Sequence, residues 1–454
     1  MYERFLKKTR NRVNKILIPF LVKQKMYHLL SLLMIFNLKK IKKILPKNKP
    51  KFKTIVLTKT GGIEDLIESQ KNNNNNILYL SCSRQFFKLI FSTIFHGKKH
   101  NLSDGKYFSK IKEIENLKLK YRFFLVSFLK ILKKKYNFNT FVGFNFNYLA
   151  ERELHAACDE LKIPFLLLYK ESIHAKIQED YYVYSHKKVN EKFNGYKVAV
   201  YSDYAKKLLA NSKIIDKSKI EVVGCSRLGL SYDYKKIPPK KQILYYAIQS
   251  NRGLPNMYIK TFGKAFFNNL KKHKTYNGKY NWKSLHIKTL KILKEFAINN
   301  PNISIIIKIK IGGDNESNEY KDLPKNIKVY RFGAGHTFLK DAKVVIAWNT
   351  TSILEAMAAN RFVLLPYFYK KTKLFRDTEL KLGLKKSSYG LNKDDFYKKL
   401  NLFIKMKYNK NIINNNLQPL KYYLGNKDNK SGLRLNKFLK DNLNYKNELK
   451  KNKT

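Results

Sequence analysis

The chain has 454 residues, of which 93 are lysine or arginine and 33 are aspartate or glutamate, so its formal net charge is +60. Its length is too great for one ordinary domain and suits two domains of about 200 residues each. Only 12 of the basic residues are arginine, and the lysines are spread along the chain, so we disfavour nucleic acid and expect a partner such as anionic lipid, a nucleotide phosphate or an acidic glycan.

Cysteine usage and the absence of long apolar runs limit the expected cellular compartment of the protein. Cys82, Cys158 and Cys225 lie far apart and form no metal or redox pattern, which favours a reducing compartment. The sequence contains no run of 18 apolar residues, so it predicts no transmembrane helix. The first residues lack the apolar core and cleavage site of a signal peptide. The expected location is the cytoplasm, with peripheral attachment to the inner membrane as an added hypothesis.

Residues 1–50 form a basic amphipathic segment. They contain 14 lysines or arginines and one acidic residue, Glu3, interleaved with apolar residues such as those of 29–36. Such a segment can lie on an anionic membrane, whereas a solvated arm or a helix packed on the body explains it equally well. If it binds membrane, a chain that starts near Lys51 should lose binding to anionic vesicles and remain folded.

Residues 51–237 alternate apolar strands with helices, which predicts a first Rossmann-like domain. The turn 59–62 after the first strand holds two glycines, which permit close backbone approach to a ligand or simply form a turn. The strand 164–169 ends in Lys170 and Glu171. These opposite charges form a solvated ion pair or face a substrate at the carboxyl edge of the sheet.

Pro238 and Pro239 mark the predicted boundary between domains. Residues 238–435 are then a second Rossmann-like domain, and 436–454 a basic, frayed tail. Just before the boundary lies Arg227, whose fork suits a phosphate or a carboxylate. A structural fork onto backbone carbonyls is the alternative for this arginine.

Several polar groups follow strands of the second domain. The loop 249–252 follows its first strand, and Lys308 lies inside the strand 304–309. His336 ends the loop Gly333-Ala334-Gly335-His336, whose GxG is a weak dinucleotide signature without its third glycine. We expect His336 either in the site or in a capping role.

The clearest unit of the chain is the strand 344–347, a polar turn, the helix 352–359 and the strand 362–365. The turn Asn349-Thr350-Thr351-Ser352 carries three hydroxyls where free backbone N–H groups favour an anion. Ser352-x-x-Glu355 is also a capping box, which would explain both residues without a ligand. The turn lies at the carboxyl edge of a predicted parallel sheet, where open α/β folds bind ligands, so a site and a cap are both open.

Residues 341–368 resemble the donor-nucleotide segment of GT-B-type glycosyltransferases of bacterial capsule and lipopolysaccharide synthesis. The shared pattern is an apolar strand, a Ser/Thr-rich turn, Glu-Ala, small residues and an apolar strand ending in proline. The family's Gly-Lys-Pro before the second strand is Asn360-Arg361-Phe362 here. The segments 146–172, 200–229, 300–310 and 423–431 resemble the same family.

This resemblance implies an α/β fold of two Rossmann-like domains that face a cleft, and transfer of a sugar from a nucleotide-sugar donor to a surface-polysaccharide or lipid-linked acceptor. The donor is a substrate, and no separate cofactor is expected. The resemblance leaves the catalytic base open among Glu171, His174 and His336. It assigns donor binding to Lys308, Thr350, Thr351, Ser352, Glu355 and Arg227.

Missing motifs narrow the chemistry but leave alternatives. The chain has no Asp-x-Asp, Walker loop or HExxH, so we expect no metal site and a metal-independent enzyme. Transfer of a polyol phosphate from a CDP-polyol and nucleotide-sugar 2-epimerisation share the architecture and stay open. The non-enzymatic alternative is a basic protein that binds membrane surfaces or nucleic acid.

Overall fold

The computed structural model describes residues 2–46, 48–59, 61–71, 76–95, 107, 111–171, 173–175, 179–180, 182–183, 186–187, 190–248, 282–310, 317–368, 379–408, 418–425 and 428–443. In this part of the chain the helices are α1 Tyr2–Lys23, α2 Tyr27–Asn37, α3 Gly62–Gln70, α4 Arg84–Phe95, α5 Lys112–Tyr136, α6 Leu149–Glu160, α7 Asp203–Asn211, α8 Leu228–Lys235, α9 Trp282–Asn299, α10 Ser352–Ala358, α11 Lys393–Lys405, α12 Gln418–Leu424 and α13 Ser431–Leu443. The strands are β1 Lys39–Lys40, β2 Phe52–Leu57, β3 Ile77–Cys82, β4 Thr140–Gly143, β5 Phe165–Tyr169, β6 Lys197–Val200, β7 Ile220–Val222, β8 Gln242–Tyr246, β9 Ser304–Lys308, β10 Ile327–Tyr330, β11 Val344–Ile346, β12 Phe362–Pro366 and β13 Tyr389–Gly390.

The chain divides into two compact units. Unit 1 comprises Met1–Ser172, Val183–Ser226 and Lys430–Thr454, and unit 2 comprises Ile173–Tyr182 and Arg227–Asn429. Each unit is built on one sheet with parallel strands, apart from an antiparallel β1 at the edge of the first. The predicted α/β class with two Rossmann-like domains is therefore confirmed.

The sheet of unit 1 has the strand order β1-β3-β2-β4-β5-β6-β7. The chain first adds β3 on one side of β2 and then β4 on the other, so the order reverses between β2 and β4. Ile55 and Val56 of β2 and Phe141 and Val142 of β4 are fully buried. Ligands of open α/β sheets bind beyond the carboxyl ends of the strands at such a reversal.

The sheet of unit 2 has the order β10-β9-β8-β11-β12-β13. Numbered from its first strand this is 3-2-1-4-5-6, the order of doubly wound dinucleotide-binding sheets, and it reverses between β8 and β11. Val345 of β11 lies opposite Leu244 of β8 and Val363 of β12. All three are buried, which explains why these strands read as continuous apolar runs and not as alternating patterns.

The amino-terminal helices belong to the core of unit 1. Helix α1 packs against α4 and α2 against α5, and Ile18, Leu21, Leu30 and Met34 are buried. The solvated-arm interpretation of residues 1–50 is therefore wrong. Our expectation that a chain starting near Lys51 stays folded is also corrected, because the truncation would uncover α4 and α5. None of the described helices is long and apolar enough to span a bilayer.

The carboxyl-terminal end of the described chain also differs from expectation. The predicted frayed tail 436–454 is wrong for 436–443, which continue helix α13, while 444–454 lie outside the described residues. Leu435, Phe438, Leu439 and Leu443 join a buried cluster with Val56 and Val142 of the unit 1 sheet. An apolar stripe at helical spacing outweighed the basic composition, and it places α13 in unit 1 and not in the second domain.

Candidate functional site

The reversal point of the unit 2 sheet gathers most of the predicted donor-binding residues. Tyr246 is the last residue of β8, and the turn after β11 leads into α10, which begins at Ser352. Arg227 precedes α8, which packs against α10. We call the set Arg227, Tyr246, Ser352 and Glu355 the donor-edge cluster. The loop 249–252, also predicted here, lies outside the described residues.

Glu355 and Arg227 form an ion pair within this cluster. The Nε of Arg227 lies 3.3 Å from Oε1 of Glu355, and each side chain is 13% exposed. The capping box predicted from Ser352 and Glu355 does not form, because the N-cap residue is Thr351 and its side chain makes no capping hydrogen bond. The structure therefore does not support the capping interpretation of Glu355, and its donor-binding role stays a prediction.

Tyr246 lies beside the same pair. Its hydroxyl donates to the carbonyl of Gly335 at 2.9 Å, and Ser352 hydrogen-bonds to it. Burial raises the pKa of Tyr246 well above its ordinary value, and the Glu355 carboxylate adds to this rise, so the phenol stays neutral. A Cβ at position 335 would lie 2.9 Å from Cε1 of Tyr246, which explains the glycine there.

The turn after β11 presents its hydroxyls at the surface of the site. Thr350 and Ser352 are half-buried and Thr351 is exposed. The backbone N–H of Ser352 lies 3.4 Å from Oγ1 of Thr350. Asn349 has a φ of 45°, a left-handed conformation that asparagine tolerates better than most residues. The turn thus reverses the chain tightly, and the binding role of its hydroxyls stays a prediction.

Lys308, the last residue of β9, is buried, and its ammonium group faces the backbone. Nζ donates to the carbonyls of Ile309 at 2.7 Å and Arg331 at 3.4 Å. Burial lowers the pKa of Lys308. An ammonium group has three donors, so these two bonds leave one donor for a phosphate. The donor-binding role of Lys308 stays a prediction.

The departure from the family's Gly-Lys-Pro has a structural explanation. Asn360 has a φ of 55° and so fills the left-handed position where a glycine is usual after a helix. Arg361 is fully buried, and its guanidinium donates to the carbonyls of Leu339, Lys340, Tyr234 and Ile237. These bonds attach residues 228–237, which we had assigned to the first domain, to unit 2.

The three candidate bases lie in different surroundings. His336 is half-buried in the short 3-10 turn Gly335–Leu339, next to the carbonyl that Tyr246 contacts. His174 packs on Tyr182, with 5.1 Å between the ring centroids, in the short segment of the chain that belongs to unit 2. Glu171 belongs to unit 1 and lies at the edge of its sheet. The assignment of the catalytic base to one of these three residues stays a prediction.

Glu171 takes part in a polar cluster at the reversal point of the unit 1 sheet. Its Oε1 lies 2.5 Å from Nζ of Lys59, which follows β2, and Lys59 also donates to the hydroxyl of Tyr148, which follows β4. Burial lowers the pKa of Lys59, but Glu171 and Tyr148 outweigh burial, and the net shift is upward. Glu171 is 47% exposed. Sequence reasoning missed Lys59 because its partner is 112 residues away.

Two further charged residues complete this cluster. Arg84 stacks on the ring of Tyr148 at 3.4 Å from its centroid and forms an ion pair with Glu151. Glu151 is buried in the first turn of α6, and its Oε2 has no hydrogen-bond partner among the described residues. Burial raises the pKa of Glu151, and the charge of Arg84 opposes this rise. We call Lys59, Arg84, Tyr148, Glu151 and Glu171 the unit 1 edge cluster.

Neither cluster has the composition of a metal site. Among the described residues, no group of three or more histidine, cysteine, aspartate or glutamate side chains could hold a metal ion. Both clusters instead pair carboxylates with lysine or arginine. Such groups bind hydroxyls and phosphates by charge-assisted hydrogen bonds.

Comparisons with known proteins give matches to solved structures alone, since no family model and no curated protein matches the chain. The UDP-GlcNAc 2-epimerase of Neisseria meningitidis, solved with UDP-GlcNAc, is 14% identical at a TM-score of 0.44, covering 86% of this chain and 99% of that one. The UDP-GlcNAc 2-epimerase of Methanocaldococcus jannaschii is 13% identical at a TM-score of 0.45, with the same coverage of both chains. The calicheamicin glycosyltransferase is 11% identical at a TM-score of 0.42, covering 87% of this chain and 99% of that one. Similarities this weak support no conclusion about the reaction or the substrate. The proposal below is argued from the site residues instead.

Proposed function

We propose that the protein is a glycosyltransferase that moves a sugar from a nucleotide-sugar donor to a glycan or lipid-linked acceptor of a bacterial surface polysaccharide. The observation that carries the proposal is the Arg227–Glu355 pair, largely buried at the reversal point of a 3-2-1-4-5-6 sheet. A carboxylate and a guanidinium side by side at this edge suit two adjacent parts of a nucleotide, its ribose diol and its diphosphate.

In this proposal Glu355 accepts a hydrogen bond from a ribose hydroxyl. Its Oε1 faces Arg227, and a carboxylate has acceptor sites on both oxygens, so the ion pair fixes the carboxylate without saturating it. Arg227 opposes the negative charge of the diphosphate. Thr350, Thr351 and Ser352 contribute hydroxyls to the phosphates, and Lys308 supplies its third N–H.

The chemical step breaks the bond between the anomeric carbon and the diphosphate oxygen and forms a bond from that carbon to an acceptor oxygen. The proton of the acceptor hydroxyl must pass to a base. Glu171, His174 and His336 stay the candidates for this base. Positive groups at the donor edge stabilise the leaving diphosphate without a metal ion.

The test is a panel of nucleotide sugars and CDP-polyols, scored for thermal stabilisation of the protein and for nucleotide release. The proposal predicts that one nucleotide sugar stabilises the protein and that nucleotide release accelerates when a polysaccharide or lipid-linked acceptor extract is added. The matched variants are Glu355→Gln and Glu295→Gln. Glu295 pairs with Lys393 on the surface of the same unit, so it controls for the loss of a charge.

Other outcomes identify the alternatives. Release of CMP from a CDP-polyol would replace sugar transfer with polyol-phosphate transfer. Conversion of the donor to its 2-epimer without an acceptor would indicate an epimerase. Tight binding of generic RNA that falls steeply with salt, without any nucleotide-sugar binding, would overturn the enzyme proposal, since such salt dependence is the mark of a phosphate-backbone binder.

A further inference from the structure

Helices α1 and α2 each carry a second apolar face that no described residue covers. One face of each helix packs on the core of unit 1 through Ile18, Leu21, Leu30 and Met34. The other faces solvent. We call this solvent-exposed set the outer face; it consists of Val13, Ile16, Leu17, Phe20, Leu29, Leu32 and Phe36.

The outer face is continuous along each helix and opposite to the core. Val13, Ile16, Leu17 and Phe20 follow the spacing i, i+3, i+4, i+7 of a single helical stripe. At 100° per residue this stripe is centred about half a turn away from buried Ile18. Ile16 is 73% exposed and Phe36 is 79% exposed. An apolar set of this extent exceeds the scattered single residues normal on a protein surface and marks an interaction site.

The two stripes belong to one surface because the helices are joined side by side. Asn14 of α1 and Asn37 of α2 exchange side-chain hydrogen bonds of 3.0 and 3.3 Å. Tyr27 at the start of α2 packs on Phe124 of α5 at 4.9 Å between ring centroids. The pair is thus packed on the body of unit 1, and the outer face is formed without a partner.

The charge around the outer face has one sign. The sequence has no acidic residue between Glu3 and Glu64. Among the described residues of 9–51, the exposed basic side chains are Arg12, Lys15, Lys23, Lys25, Lys39, Lys40, Lys42, Lys43, Lys49 and Lys51. Apolar side chains surrounded by lysine and arginine are the composition of helices that lie in the plane of an anionic lipid surface.

We propose that the outer face docks on the surface of an anionic lipid bilayer, with its aromatic and aliphatic side chains among the acyl chains and its lysines at the headgroups. A second copy of this chain fits less well, because two such faces would bring like charges together. Nucleic acid would satisfy the lysines but leave the apolar side chains in water. The proposal concerns unit 1 alone and does not depend on the sugar-transfer proposal.

The test measures co-sedimentation of the full chain with vesicles of phosphatidylcholine and with vesicles in which about one third of the lipid is phosphatidylglycerol, a fraction that gives a strong negative surface potential. The variant is the triple substitution Ile16→Ser, Phe20→Ser, Phe36→Ser. The control triple is Ile298→Ser, Leu402→Ser, Leu433→Ser, which removes three side chains that are also exposed but lie elsewhere.

The wild type and the control triple should sediment with the anionic vesicles and should stay in the supernatant when the vesicles are neutral. The outer-face triple should bind at least about tenfold more weakly, since three apolar insertions are lost. Unchanged melting of the triple would show that it folds, as expected for side chains opposite to the core. Equal vesicle binding by both triples would overturn the proposal. So would a wild-type dimer in sedimentation that the outer-face triple converts to monomer, because the occupant would then be a second copy.

Discussion

Two arginines of unit 2 lie in contrasting surroundings. Arg361 is fully buried, and its guanidinium donates to four backbone carbonyls, including those of Leu339 and Tyr234 at 2.9 Å each. Arg227 is partly exposed at the carboxyl edge of the sheet, and its contact in the donor-edge cluster is the carboxylate of Glu355. The guanidinium of Arg361 is therefore held by backbone carbonyls, whereas that of Arg227 contacts a side-chain carboxylate.

This contrast separates stability from binding. The carbonyls around Arg361 cannot move without moving the chain, and no ligand group is needed to complete the arrangement. The Arg227–Glu355 pair has a carboxylate that can take a second hydrogen bond. If the pair is a binding site, changes at the edge should alter ligand affinity alone, and changes in the interior should alter stability alone.

The largest expected effect is on the interior. Arg361→Met leaves buried carbonyls without a donor, which should destabilise the protein by about 3 to 5 kcal/mol. Urea unfolding followed by circular dichroism measures this loss. Arg331→Met is the matched control, because Arg331 is an exposed arginine of the same unit, and it should unfold like the wild type. A loss under about 1 kcal/mol for Arg361→Met would show that water replaces the guanidinium and would break the contrast.

A second interior effect follows from pH. Burial, with a smaller contribution from Arg152, lowers the pKa of His155 from 6.5 to about 3. Because the unfolded state binds the proton more tightly, the stability from neutral His155 is present above about pH 6.5 and is lost as the pH falls towards 3. At about pH 5 the loss is about 2 kcal/mol.

His155→Phe isolates this contribution, since the ring of His155 already packs on Phe165 and Phe193. As the pH is lowered from neutral to about 5, the urea midpoint of the wild type should fall by more than that of the variant. Part of the acid dependence should remain in the variant, because burial also lowers the pKa of His286 to about 4. Parallel curves for the two proteins would mean that folding does not lower the pKa of His155.

The main expected effect at the edge concerns Glu355. Glu355→Gln replaces an ionised acceptor with a weaker amide, so donor affinity or turnover should fall at least about tenfold while the melting temperature barely moves. Glu295→Gln should change neither. Donor affinity is measured by calorimetry with the nucleotide sugar identified in the panel. Full affinity in Glu355→Gln would place the nucleotide elsewhere.

The smallest expected effect is at the turn. Thr350→Val removes one hydroxyl from the proposed phosphate contact, and a hydrogen bond worth about 1 kcal/mol predicts an affinity lower by about fivefold. Thr93→Val is the control, because the Thr93 hydroxyl donates to the carbonyl of Leu89 within its own helix of unit 1. For both variants, the measured quantity is the inhibition constant of free nucleoside diphosphate in competition with the donor. An unchanged inhibition constant would remove the turn from the phosphate site.

Local sequence patterns predicted the elements well and the side-chain partners poorly. The strands β11 and β12 and the helix α10 were expected from their apolar runs and helix formers, because such patterns depend on neighbouring residues. Arg227 and Glu355 were each selected, but their pairing spans 128 residues and no local pattern encodes it. Arg361 was noticed only as a departure from a motif, and its structural role depends on carbonyls more than 20 residues away in the chain. One of them, that of Tyr234, lies in α8, a helix that we did not predict.

The most direct test of the contrast compares Arg361→Met and Glu355→Gln on both quantities, the urea midpoint and the dissociation constant of the donor. The interpretation predicts a crossed result. Arg361→Met should lose stability and, at temperatures where it is folded, keep its donor affinity, whereas Glu355→Gln should keep its stability and lose affinity at least about tenfold. If both variants lose stability and affinity in parallel, the edge around Glu355 is a structural ion pair like the interior and not the donor site.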